Sequence, residues 1–190
     1  MSSPLSSLLP AMAAAWQDAF LSRQLPAPVA AELIAVGDQL VPAVPTSPGE
    51  HQALELDAAG GVSYIRRNGS FDLELDTDGN CSTKRYKVTV PIRVVVVADL
   101  FNLECRSVEV GAVLSERLLA AVSSTGIPGA AVGGSGKIYP TRIDNDAARI
   151  FLAELGMPIA LPARRGVVAM DAKIELIVNA NCLPGCTVGS

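Results

Sequence analysis

Apolar and polar residues alternate along the stretch from Tyr86 to Leu100, YKVTVPIRVVVVADL. Alternation over this length predicts a long β-strand with one fully buried face, and its many β-branched residues suit a pleated, half-buried surface. The predicted buried face consists of Tyr86, Val88, Val90, Ile92, Val94, Val96 and Ala98. Pro91 cannot donate a hydrogen bond to a neighbouring strand, so we expect the strand to lie at a sheet edge there or to carry a bulge.

The same pattern predicts a second long strand from Gly166 to Ala180, with one side toward the core and the other toward water. A short strand is predicted from Lys137 to Ile143. Apolar residues spaced three and four apart predict helices elsewhere. The predicted helices are Leu8–Gln24, a second helix that starts at Pro28 and reaches Leu40, Val108–Val122, and Asn145–Leu155, which Asp144 would cap and Gly156 would close.

A β-hairpin is predicted around Asn68-Gly69, which separates the alternating runs Gly61–Arg67 and Ser70–Asp76. A type I′ turn needs positive φ at both central residues, and Asn-Gly meets this requirement. We expect one side of the second strand to face the core, namely Phe71, Leu73 and Leu75. The other side would face solvent or a partner, namely Asp72, Glu74 and Asp76. Arg66 and Arg67 stand near these acids, which allows cross-strand ion pairs.

These elements predict an α+β fold, with a single mainly antiparallel β-sheet, helices packed on one face, and a projecting β-hairpin. The 190 residues predict one domain. Within it we expect an N-terminal helical hairpin over residues 1–40, a proline-rich linker over residues 41–52, and the sheet with its helices over residues 61–182.

Charge and hydropathy narrow the class of protein. The 15 basic and 19 acidic residues give a net charge of −4. This balance argues against a protein that binds nucleic acid or an anionic membrane mainly through charge. No apolar run reaches the length of a membrane span, and no basic region precedes the apolar part of the N-terminus. We therefore expect synthesis in the cytoplasm without a signal peptide.

Metal and nucleotide motifs fail at required positions. A calcium loop counted from Glu74 would place Arg85 where a bidentate acid is needed. A phosphate loop ending at Gly136-Lys137 lacks its first glycine and is followed by Ile138 rather than Ser or Thr. His51 is the only histidine and lies in the predicted linker, where a solvated role is expected. No cofactor is therefore predicted.

Four cysteines leave two alternatives open. Their spacing does not match the usual paired C-x2-C motifs of zinc sites, and reduced, partly buried thiols are the simpler interpretation. Whether they pair with each other is also open. The residues concerned are Cys81, Cys105, Cys182 and Cys186.

The order of elements resembles that of the tail terminator, or tail completion, proteins of tailed bacteriophages. The resemblance rests on four segments between Tyr64 and Cys182, namely YIRRNGSFDLELD, RYKVTVPIRVVVVADL, SVEVGAVLSERLLAAV and VVAMDAKIELIVNANC. It implies a non-enzymatic virion protein of the tail and neck. Such proteins form rings, commonly hexameric, that stop growth of the tail tube and join it to the neck connector. A sequence-specific nucleic-acid partner and a membrane partner are not implied.

Two functions from different classes follow from this sequence, and a toxin-like or immunity-type interaction module is a third class that the sequence leaves open. In the first, identical subunits form a ring through the predicted hairpin and the glycine-rich loop from Gly126 to Lys137. The predicted interface residues are Tyr64, Arg66, Arg67, Asp72, Glu74, Asp76 and Lys137. The alternative is a small cytoplasmic enzyme or ligand-binding domain that uses the acidic cluster from Asp72 to Asp78.

Overall fold

The computed structural model describes residues 7–56, 58–76, 85–99, 110–127, 135–159, 161–162 and 165–179. Within these ranges the chain forms three helices and nine strands. The helices are α1 (Leu8–Leu21), α2 (Val110–Thr125) and α3 (Ala147–Leu155). The strands are β1 (Pro28–Ala30), β2 (Glu32–Val36), β3 (Gln39–Ser47), β4 (Glu50–Ala53), β5 (Gly61–Arg67), β6 (Asp72–Asp76), β7 (Arg85–Asp99), β8 (Ser135–Asp144) and β9 (Arg165–Asn179).

The main sheet is built around β7, which pairs along its full length with β9. Its strand order is β1-β5-β7-β9-β8, and β6 also lies beside β7. Every pairing in this sheet is antiparallel except that of β1 with β5. The predicted α+β class, the two long strands and the strand around Lys137 are therefore confirmed.

β5 and β6 lie end to end along the same side of β7, so the predicted hairpin at Asn68-Gly69 is wrong. β5 pairs with the second half of β7 and β6 with its first half. Asn68 and Gly69 interrupt what is otherwise one long strand. A local Asn-Gly signal favours a turn, but here both flanking segments pair with the long strand β7 instead of with each other.

Pro91 lies in the central strand of the sheet rather than at an edge, so that prediction is also wrong. In a strand, the N–H and C=O of one residue point to the same side. The carbonyl oxygen of Pro91 accepts a hydrogen bond from the N–H of Asn68 at 2.9 Å. The missing N–H of Pro91 therefore faces the interruption, where neither β5 nor β6 pairs with it.

The segment predicted as a second helix and a linker forms β1 and a separate three-stranded sheet, β2-β3-β4. Two-residue loops connect its strands at Gly37-Asp38 and Pro48-Gly49. The φ angles of Gly37 and Gly49 are 62° and 84°, which glycine adopts readily and tight hairpin turns require. The helical spacing of the apolar residues was therefore misleading. Only the first helix of the predicted helical hairpin is confirmed.

Helices cover both faces of the main sheet. α1 and α2 pack on the face that includes Val88, Val94 and Met170. α3 packs on the opposite face, against Val95 and Val167, because successive residues of a strand point to opposite sides. The predicted arrangement of a single sheet with helices on one face is therefore wrong in two respects. The chain forms a second sheet, and α3 packs on the opposite face of the main sheet. None of the helices in the described ranges is long and apolar enough to cross a membrane.

The predicted C-terminal end of α3 is confirmed, and its predicted N-cap is wrong. Gly156 closes the helix in the left-handed conformation with φ 74°, as predicted. The N-cap is Asp146 rather than Asp144, and its side chain accepts a hydrogen bond from the N–H of Arg149. Asp144 instead accepts the N–H of Asp146 at 3.0 Å and pairs with Arg142. The side chains of Asp144 and Asp146 therefore each accept a backbone N–H at the start of α3.

Candidate functional site

A buried ion cluster joins α3 to the main sheet. Glu154, on the inner side of α3, is fully buried. Its Oε1 accepts from Arg66 at 2.6 Å and from Arg93 at 3.0 Å. Its Oε2 accepts from Arg66 Nε at 2.7 Å and from the Tyr64 hydroxyl at 3.1 Å. Both oxygens of this carboxylate are therefore fully engaged with donors.

A second carboxylate completes the cluster on β9. Arg93 donates to both oxygens of Asp171, at 2.6 Å from Nε and 2.7 Å from Nη2. Asn68 Nδ2 donates to Asp171 Oδ1 at 3.0 Å. Two guanidinium groups thus face two carboxylates, and the fork geometry of each Arg–carboxylate pair gives strong, oriented hydrogen bonds.

Burial, hydrogen bonds and neighbouring charges shift the pKa values of groups in the cluster. Burial alone would raise the pKa of Glu154, but the hydrogen bonds and charges of Arg66 and Arg93 outweigh it and lower that pKa. Burial and the neighbouring Glu154 raise the pKa of Tyr64. The hydrogen bond to Asp171 raises the pKa of Arg93. At neutral pH Glu154 is therefore ionised and the phenol of Tyr64 is neutral, and the two carboxylates of the cluster lie beside two guanidinium groups.

The geometry of this cluster suits a structural contact between α3 and the sheet better than it suits catalysis. A general base needs a free lone pair near its substrate, and the oxygens of Glu154 already accept four hydrogen bonds. The cluster fixes α3 on the sheet and holds Asn68 at the interruption between β5 and β6. The sequence patterns do not point to Arg93, Glu154 or Asp171 as members of a site. The available signal was a pair of arginines on strands whose other residues are mostly apolar.

The predicted interface residues are distributed between the interior and the surface. Tyr64 and Arg66 are buried in the ion cluster, which leaves little of either side chain for contact with another subunit. Arg66 pairs with Glu154, and its predicted pairing with the acids of β6 is wrong. The residues Arg67, Asp72, Glu74 and Lys137 are exposed.

The remaining candidates lie on β6 or outside the described ranges. Asp76 ends β6 opposite Arg85 of β7. Asp78, the centre of the glycine-rich loop (128–134) and the four cysteines lie outside the described residues. Within the described ranges, no group of three or more His, Cys, Asp or Glu side chains could hold a metal ion. His51 lies on β4, with its Nε2 atom 3.7 Å from Glu32 Oε2.

One cleft lies between α1 and the strands β1 to β3, with a volume of about 350 Å³. Its wall is mostly aliphatic, and its polar side chains are Gln17 and Glu32. Asp72 and Glu74 are not among the lining residues, so the acidic cluster of the predicted enzyme does not coincide with this cavity.

Exposed apolar side chains lie along β6. Its side chains at Leu73 and Leu75, with Phe71 just before it, are 48%, 54% and 44% exposed. We call these three residues the β6 apolar row. Their predicted burial is wrong, because β6 lies at the side of the sheet, beyond the cover of α1 and α2. The row nevertheless shares a face with the core, since Leu73 pairs with the buried Val88.

No protein-family model matches this sequence, and no curated protein matches it.

Proposed function

We propose that this protein is a structural subunit that assembles into a ring, with the role of a bacteriophage tail terminator. In this role the ring caps the tail tube and joins it to the neck connector of the virion. The observation that carries the proposal is the β6 apolar row, which lies on a strand without a partner on its outer edge among the described residues. An open strand edge with exposed apolar side chains favours association with another chain.

The charges beside this row support assembly rather than aggregation. Asp72 and Glu74 are exposed on the opposite face of the same strand. Acidic side chains on an edge strand suppress random pairing and select partners that carry complementary charge. The surface therefore has both the apolar contact and the selectivity that a specific subunit interface needs.

The test measures the mass of the purified protein by native mass spectrometry and light scattering over a range of concentrations and salt. We expect a closed oligomer with a single subunit number, visible as rings by electron microscopy. Leu73→Ser should weaken this oligomer, because it removes an exposed apolar contact. Val36→Ser is the matched control, since Val36 is an equally exposed apolar strand residue on the small sheet.

A wild-type protein that stays monomeric at the highest concentration, and that also fails to bind purified tail tubes or neck connectors, would overturn the proposal. A monomer that binds a small polar ligand would favour the alternative of an enzyme or ligand-binding domain. In that case Leu73→Ser and Val36→Ser would behave alike.

A further inference from the structure

The β6 and β8 edges of the main sheet carry opposite charges at matching positions along the strands. Asp72 of β6 pairs with Thr89 of β7, which pairs with Glu175 of β9, which pairs with Lys137 of β8. Cross-strand partners share a face of the sheet, so these four side chains form one transverse row. Asp72 lies at one end of the row and Lys137 at the other, and both are exposed.

Strand directions at the two sides are also compatible. β6 is antiparallel to β7, β7 to β9, and β9 to β8. β6 and β8 therefore run in opposite directions within one subunit. A second copy placed beside the first in the same orientation brings its β6 antiparallel to the β8 of the first. Both copies then present the same face of the sheet to the same side.

The side chains fit this arrangement on both faces. On one face, Lys137 of one copy meets Asp72 of the next. On the other face, Ile138, which is half-buried on β8, meets the β6 apolar row. Gly136 lies level with Leu73, because Gly136 and Val88 both pair with Leu176, and Val88 also pairs with Leu73. The side chains of Ile127 and Leu176 fill the space that a Cβ atom of Gly136 would occupy, so Leu73 of the next copy meets an apolar surface there.

We propose that β6 of one subunit pairs with β8 of the next, so that the main sheet continues from copy to copy. The partner is a second copy of this chain, and Asp72 with Lys137 sets the register. This inference rests on the proposed assembly and names its contact. The two surfaces differ, so the contact is head-to-tail and yields a ring if the rotation closes.

The first experiment exchanges the two charges. Asp72→Lys and Lys137→Asp should each raise the concentration needed for half-assembly by about fivefold or more, since like charges then face each other. The double variant should return close to wild type, because the pair is restored with its signs reversed. Glu50→Lys, the same kind of change on an exposed residue of β4, is the control and should have no effect.

The second experiment traps the contact directly. Asp72→Cys and Lys137→Cys are made in separate chains and mixed under mild oxidation. Opposed residues of an antiparallel pair have Cα atoms close enough for a disulfide. We expect a bond between positions 72 and 137, identified by mass spectrometry of peptides, in the mixture alone. Wild type and Glu50→Cys measure the background from the native cysteines.

The outcomes separate this inference from the proposed function. If the wild type assembles but the charge variants match Glu50→Lys and no 72–137 bond forms, the strand pairing is wrong and the ring still stands. An open filament that shows the bond supports the pairing and counts against the ring. A wild type that never assembles overturns both.

Discussion

At the residue scale, Glu154 is the most constrained charge in the described structure. It is fully buried, and it is stabilised as an anion by Arg66, Arg93 and Tyr64. Desolvating these charges is costly, and the cost is offset only while all partners are present. Removal of one partner from this buried cluster should therefore destabilise the protein far more than removal of one partner from an exposed ion pair.

We predict that Glu154→Gln lowers the free energy of unfolding by about 3–5 kcal/mol at pH 7, because it leaves buried guanidinium charges uncompensated. Glu116→Gln, at an exposed position of α2, should change stability by less than about 0.5 kcal/mol. Urea unfolding followed by circular dichroism measures both. Equal stabilities of the two variants would show that the cluster contributes no net stability.

The difference in stability between wild type and Glu154→Gln should also depend on pH. The folded pKa of Glu154 is lowered, so its stabilising contribution is present above the ordinary value of about 4.3 and is lost as pH falls through the folded value. The stability gap between wild type and Glu154→Gln should therefore narrow below about pH 4. A gap that stays constant down to pH 3 would contradict the lowered pKa.

At the element scale, β7 is the strand on which the fold depends. It pairs with β5 and β6 on one side and with β9 on the other. Its residues contribute to the apolar cores on both faces, through Val94 on one face and Val95 on the other. A charge introduced into this strand would be buried without a partner.

We expect Val94→Asp to destabilise the protein by at least about 3 kcal/mol, because an ionised or protonated carboxyl group is poorly solvated in that core. Val36→Asp provides the comparison, since Val36 is 55% exposed on β2 and should tolerate the charge within about 0.5 kcal/mol. Thermal melting of the two variants measures the difference. Near-native melting of Val94→Asp would show that this side chain is not in the core.

At the scale of the whole molecule, the two cores share one sheet. Trp16 belongs to the core under α1 and α2, and Phe151 belongs to the core under α3. The chain has one tryptophan, so fluorescence reports only the first core. Because β7 and β9 contribute to both cores, we expect them to unfold together.

Phe151→Ala should therefore shift the Trp16 fluorescence transition as much as it shifts the circular dichroism transition, with a loss of about 3–5 kcal/mol. Denaturant titration with both probes tests this. A variant that melts by circular dichroism while its fluorescence transition stays in place would show that the two faces unfold separately.

The sequence by itself determined the elements whose signals were local and repeated. Alternation of β-branched residues identified β7 and β9, and apolar spacing identified α1, α2 and α3 to within a few residues. Gly156 was correctly identified as the end of α3, because a left-handed cap depends on one residue alone. These features depend on near neighbours in the chain, which is why the sequence is sufficient for them.

Tertiary structure decided the features that depend on distant partners. Asn68-Gly69 became an interruption rather than a turn, because β7 pairs with the segments on both sides of it. Arg66 became buried, because Glu154, 88 residues away, supplies its counter-charge. The β6 apolar row became exposed, because none of the helices in the described ranges covers that side of the sheet. Burial and pairing energies of this kind arise between segments far apart in sequence, so local patterns do not reveal them.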